Sequence, residues 1–184
     1  AYLNTTTSSA ATSNSTSPTA AATASATPRA RITVTQYYST DTATVVSTAS
    51  TKSVVVAISG AGSVSTASDG TLAGPSVSVS AGSSTDGVSN FYVYSNGVSG
   101  VGTITISVNG TLVSTKTVTF FGSAASIAID TVYGTIGRAG GYSYADAMDV
   151  VVKDSGGNPV VGASVTIHLV LQQQLHQDHV LMHT

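Results

Sequence analysis

Val101-Gly-Thr-Ile-Thr-Ile-Ser-Val-Asn-Gly-Thr-Leu-Val-Ser-Thr-Lys-Thr-Val-Thr-Phe-Phe121 is the stretch whose reading decides the fold class of this chain. Ile104, Ile106 and Val108 alternate with Thr103, Thr105 and Ser107. A period of two is the signature of a strand with one face buried and one face wet. Asn109-Gly110 then interrupts the pattern, and such a dipeptide between alternating runs signals a hairpin. On the far side Leu112, Val118 and Phe120 are apolar. With a two-residue loop Val108 would face Thr111, even-numbered positions would oppose odd-numbered ones, and the two apolar sets would lie on opposite faces. A three-residue loop pairs Val108 with Leu112 and keeps both sets on one face. The expectation is therefore a type I turn with Gly110 in the left-handed region, forming a bulge at the loop, rather than the tighter I′ turn.

The same texture extends upstream. Short β-rich runs fall near 31–38, 43–47, 52–58, 76–80 and 90–94, with 101–108 and 112–121 completing the set. Gly60-Ala61-Gly62, Asp69-Gly70, Gly74-Pro75, Asp86-Gly87 and Asn96-Gly97 punctuate them. No window holds a 3.6-residue period, and Glu, a favoured helix former, is absent throughout. Short strands at this spacing predict one all-β, antiparallel sandwich of immunoglobulin-like type over residues 31–122, with almost no helix.

Ahead of it lies a Ser/Thr/Ala-rich arm, residues 1–30. Thr, Ser and Ala fill 22 of its first 28 positions, and the first charge is Arg29. So few large apolar groups do not offset the entropy of ordering, which predicts a flexible or extended linker. Two alternatives are an O-glycosylated stalk and a strand donated to a neighbouring subunit. Asn4-Thr5-Thr6, Asn14-Ser15-Thr16 and Asn109-Gly110-Thr111 match the N-glycosylation pattern, which makes Asn4, Asn14 and Asn109 candidate acceptors.

Composition excludes more than it proposes. Charged residues make up 8% of the 184 positions, against roughly 25% in an ordinary soluble domain. The net charge is -2, with six basic residues, so no electrostatic footprint for nucleic acid is present. No run approaches the ~18 apolar residues of a membrane span. There is no Cys, all eight acids are Asp, and all four His fall in the last 17 residues. From Ala1 to Ile167 the chain therefore lacks thiol, imidazole and glutamate for nucleophilic, acid–base or metal chemistry. The expectation is a non-enzyme without a cofactor, Ca²⁺ excepted. The opening Ala-Tyr reads as a processed chain or an excised fragment.

After Phe121-Gly122-Ser123 a second unit is expected over residues 123–167. Strands are predicted at 126–130, 147–153 and 160–167, the last two flanking Asp154-Ser-Gly-Gly-Asn-Pro159. The run from Asp146 to Ile167, with its Lys-Asp, its Gly-Gly-Asn-Pro turn and its following Val-Gly-Ala, resembles the bacterial immunoglobulin-like repeats of invasin/intimin-type adhesins and many surface-layer proteins. The resemblance covers about residues 124–167, the first half of such a repeat. It implies tandem extracellular β-sandwiches acting as rods, tethers or lattice elements, and it brings no catalytic residues. A 44-residue half-repeat without disulfides is too small to hold its own core, so another segment or a neighbouring subunit is expected to cover it.

The remaining residues are weighed individually. The tail 168–184 departs from the family pattern. It carries every His and four of the five Gln, which suits a frameshifted or misassigned gene end. The alternative is a helix presenting His176, His179 and His183 to a metal. Asp149, Asp154 and Asn158 are candidate Ca²⁺ ligands between repeats, or else Asp154 and Asn158 stabilise their own turn. Tyr37, Tyr38, Phe91, Tyr92 and Tyr94 read as core or cross-strand packing, whereas Tyr133, Tyr142 and Tyr144 in a Gly-rich stretch read as contact residues. Two functional classes remain: an extracellular, cell-surface structural subunit of a surface layer, sheath or filament whose partners are copies of itself, and an adhesin or phage-displayed module that binds a host glycan or protein.

Overall fold

The computed structural model of the chain describes residues 1–38, 41–132 and 148–168, with 41–43 and 131–132 described as backbone alone. Thirteen strands are present among them. These are β1 (Tyr2–Asn4), β2 (Thr19–Ala21), β3 (Ala30–Thr35), β4 (Tyr37–Tyr38), β5 (Asp41–Val45), β6 (Val54–Gly60) and β7 (Ser63–Ser65), then β8 (Ser76–Val79), β9 (Val88–Tyr94), β10 (Gly100–Val108), β11 (Thr111–Phe121), β12 (Ala124–Val132) and β13 (Met148–Asp154). The described helix content is one 3₁₀ turn at Thr48–Ser50. The protein is all-β, as its alternating sequence requires.

Two sheets, ordered β1-β3-β9-β7 and β2-β11-β10-β6-β8, enclose one core. The inward positions of each strand supply it. Ile32, Val64, Phe91 and Val93 come from the first sheet, and Val54, Val56, Ile104, Ile106, Val118 and Phe120 from the second. Alternate residues of β6 and β10, such as Val55 and Thr105, point to solvent. The two-residue period is thus converted directly into a layer boundary. At the turn between β6 and β7, Gly62 has φ +98 and faces the Phe120 ring so closely that a Cβ would lie 2.8 Å from it. Only glycine suits both the backbone and the space there. Tyr94 donates its hydroxyl to the Ala67 carbonyl at 2.7 Å and accepts the Gly70 amide at 3.0 Å, pinning the loop from β7 to β8.

The β10–β11 hairpin satisfies the parity argument by another route. Val108 pairs with Thr111, and Asn109 and Gly110 both have positive φ, 50 and 80, so the loop is the two-residue I′ type and not the three-residue turn expected. Phase is corrected within the strand. Ser107 pairs with Leu112 but Ile106 pairs with Ser114, which leaves Val113 as the extra residue of a bulge. Beyond it Ile104, Ile106, Val118 and Phe120 share the buried face, while Leu112 and Val113 are exposed. Side-chain periodicity required one extra residue but did not say where it would sit.

The arm is the larger correction. Residues 1–30 do not form a free linker, because both of their strands are built into this chain's own sheets. Strand β1 pairs antiparallel with β3, and β2 pairs parallel with β11. Leu3 is 2% exposed and belongs to the core. The Ala11 amide donates to Thr33 Oγ1 at 2.8 Å, and the Thr119 amide to the Pro18 carbonyl at 2.9 Å. The physical reason is that β3 and β11 would otherwise be open edges. Two three-residue strands satisfy their unpaired backbone groups with little apolar surface of their own. The closed unit therefore runs from about residue 2 to 121.

Strands β12 and β13 form a separate two-stranded antiparallel sheet. The expected strand over 160–167 is not formed. Val160 donates once to the Val152 carbonyl, and residues 163–168 then run as irregular chain. Pro159 has no amide to donate, and Gly162 has φ +76, so the turn does not deliver the chain into a ladder. The tail beyond 168, with His176, His179 and His183, and the segment with Tyr133, Tyr142 and Tyr144 lie outside the described residues.

Candidate functional site

The chemistry-bearing groups of the second unit gather at one turn. Asp154 closes β13, 3% exposed, with its carboxylate fully engaged. Oδ2 accepts the Gly122 amide at 2.8 Å. Oδ1 accepts the Gly156 and Asn158 amides at 2.9 and 2.8 Å. The Asn158 side-chain amide lies 3.1 and 3.0 Å from the two oxygens. The Gly122 amide foremost, then the Asn158 side chain, hold the carboxyl down at a pKa of about 2. Asp-x-Gly-Gly-Asn makes this possible: Gly156 and Gly157, the latter at φ +81, let the backbone curl amides onto the carboxylate.

This arrangement separates the three candidate Ca²⁺ ligands. Asp154 and Asn158 are together, but as acceptor and donor, and both Asp154 oxygens face N–H groups rather than a vacant site. Asp149 pairs with Thr131 towards the other end of the hairpin. Five extended residues place it about 16 Å from Asp154. The three side chains do not converge. Among the described residues no group of three or more His, Cys, Asp or Glu is placed to hold a metal.

The second feature is a face. Ile127 pairs with Val152 and Ile129 with Val150, so the four share one side of the β12–β13 sheet. Ile127 and Ile129 are 60% and 58% exposed. Val165 and Ile167 of the irregular segment line open grooves over this side, one of about 520 Å³, without closing them. The opposite side carries Ser126, Ala128, Asp149, Val151 and Lys153. The sheet is amphipathic, with its apolar side only partly covered.

A third group lies on the small β4–β5 hairpin. Tyr37 and Tyr38 are about half exposed and pair across to Val45 and Asp41, which is the cross-strand packing expected and not the core alternative, because the chain leaves the first sheet after Thr35. Phe91 and Tyr94 are buried as expected, and Tyr92 stacks under the Arg31 guanidinium, 5.5 Å from ring centre. The three candidate glycosylation acceptors differ in presentation. Asn4 Oδ1 accepts the Thr6 amide and Asn14 Oδ1 accepts the Leu3 amide, so both serve the arm's local structure. Asn109 projects from the exposed hairpin tip.

The sequence pattern signalled the Asp154 turn, but nothing in it marked the reach to Gly122, 32 residues away. The open apolar face was foreshadowed by the shortness of the segment expected over 123–167. No protein-family model, curated protein or solved structure matches the chain. No described helix is long and apolar enough to cross a membrane.

Proposed function

We propose that this chain is an extracellular structural protein, a self-assembling subunit of a surface layer, sheath or filament, built from immunoglobulin-like sandwiches in tandem. The observation that carries the reading is the incompletely covered Ile127–Ile129–Val150–Val152 side of the second sheet, on which Ile127 and Ile129 are more than half exposed. An apolar sheet face is stable only when another layer covers it, and a second copy carries the same unmet face. The first unit supports the immunoglobulin-like part. Its orders β1-β3-β9-β7 and β2-β11-β10-β6-β8 place strands as the ABED and CFG sheets of that fold do, with β2 and β8 added at the edges. The scarcity of charge supports self-contact, since copies meet with little like-charge repulsion. The proposal includes no catalysis, no nucleic acid and no cofactor. The test is imaging of the concentrated full chain by negative-stain electron microscopy. Ordered sheets or filaments are expected. Isolated particles at every concentration and salt condition would reject the proposal.

The alternative is an adhesin that binds a host glycan or protein. The exposed Tyr37–Tyr38 pair favours it, because aromatic residues concentrate at recognition surfaces. Substituting both by Ser would abolish binding to cells or glycans under this reading and leave assembly untouched under the first.

A further inference from the structure

The link between the two units is two residues long, Gly122-Ser123, between the end of β11 and the start of β12. So short a link still leaves several backbone dihedrals free to change the angle between the units. The structure holds this stretch from three sides. On the arm side, the Ala22 amide donates to the Phe121 carbonyl at 2.8 Å, and Ala22 in turn accepts the Gly97 amide at 2.9 Å. From the β9–β10 loop, Ser99 lies beside Gly122, its Cβ 3.6 Å from where a side chain at 122 would begin. From the second unit, Asp154 takes the Gly122 amide. Phe121 is thus fixed by the first unit and Gly122 by the second, on neighbouring residues. The Asp154 side chain is in turn immobilised by the Gly156 and Asn158 amides, so it acts as a rigid arm and not as a flexible tether.

We infer that Asp154 is an orientation lock: by accepting the Gly122 amide it sets the angle at which the second unit leaves the first and stiffens the joint. A carboxylate suits the task, since it accepts several amides at once and forms stronger bonds than a neutral acceptor. The lock is intramolecular, so it does not depend on self-assembly. A rod with this joint transmits direction from one unit to the next, and one without it bends freely at residues 122–123.

The test uses the absence of cysteine. Spin labels on Thr105→Cys, on the outer side of β10, and Ala128→Cys, on the polar side of β12, report one distance across the joint. The labelled full chain is diluted into unlabelled protein so that only intramolecular pairs are read by double electron–electron resonance. One narrow distribution is expected. Asp154→Ala should broaden it about twofold, the effect of losing a charge-assisted bond at a hinge. Gly122→Pro removes the donor and leaves the bonds within the Asp154 turn in place; although the ring fixes one dihedral of the link, it should also broaden the distribution. Gly122→Ala, which keeps the amide and has room for its Cβ, should leave it narrow. The double variant Asp154→Ala with Gly122→Pro should be no broader than either single variant. Unchanged widths in both single variants would overturn the lock. So would broadening by Asp154→Ala alone, which would confine the carboxylate's role to its own turn.

Discussion

Ile104 and Ile127 occupy strands written in the same alternating pattern, yet Ile104 is fully buried and Ile127 is 60% exposed. The difference is not in the strands. Strand β10 lies between β6 and β11 and faces a second sheet, whereas β12 has one neighbour and, among the described residues, is faced only by the irregular segment 163–168. Periodicity states which side of a strand wants cover, and topology decides whether cover exists. The closed unit obtains its last cover from the Ser/Thr/Ala-rich arm, and the open unit has no equivalent strands among the described residues.

The sharpest way to break this contrast is to truncate matching residues in the two units. Phe120→Ala removes a fully buried ring and should cost about 3–5 kcal/mol in urea unfolding of the closed unit. Ile129→Ala, measured on dilute protein, should change stability by no more than about 0.5 kcal/mol. Equal costs would mean that the second face is covered after all.

The arm gives the next largest effect. Leu3→Ala should destabilise the closed unit by about 2–4 kcal/mol, because Leu3 sits in the shared core. A cost near zero would restore the free linker that composition suggested. That suggestion failed for a definable reason. Ordering entropy was weighed against the arm's own side chains, whereas the gain comes from backbone groups on β3 and β11 that only the folded sheets present.

The joint responds to pH in one direction. The Asp154 carboxyl is held at about 2 against an ordinary 3.8, so its contribution is complete above about pH 3.8 and disappears as pH falls through 2. The Gly122 amide resonance should titrate with a midpoint near 2. A midpoint near 3.8 would mean that the carboxylate is not held by that amide.

A small effect is expected from deleting Val113. Ser107–Leu112 and Ile106–Ser114 would then follow each other in an unbroken ladder, with every buried residue still facing inward. Stability should change by less than about 1 kcal/mol. A loss well above that would mean that the bulge does more than correct the phase of the two strands.

Much of this architecture was legible locally. The seven strands expected over 31–121 correspond to β3 with β4, β5, β6, β8, β9, β10 and β11, because alternation and turn residues act within a few positions. Strand β7 escaped notice, since three residues between glycines and serines carry no periodic signal. The strand expected at 160–167 was read from apolar content that the chain leaves in an irregular segment, with Val161 and Ile167 over half exposed. At the candidate site, the Asp154–Asn158 turn was readable and was weighed against calcium. The reach to Gly122 was not, because it depends on where two separate sheets come to lie.

The proposed assembly requires another copy of the chain to cover the apolar side of the β12–β13 sheet. Sedimentation velocity of the full chain across a wide concentration range tests it directly, with the Ile127→Lys, Ile129→Lys double variant beside it. The account predicts that the parent chain grows in mass with concentration, through interfaces above about 1,000 Å², and that the variant remains a monomer with its closed unit intact. A parent chain that stays monomeric throughout, or a variant that assembles as the parent does, would contradict it.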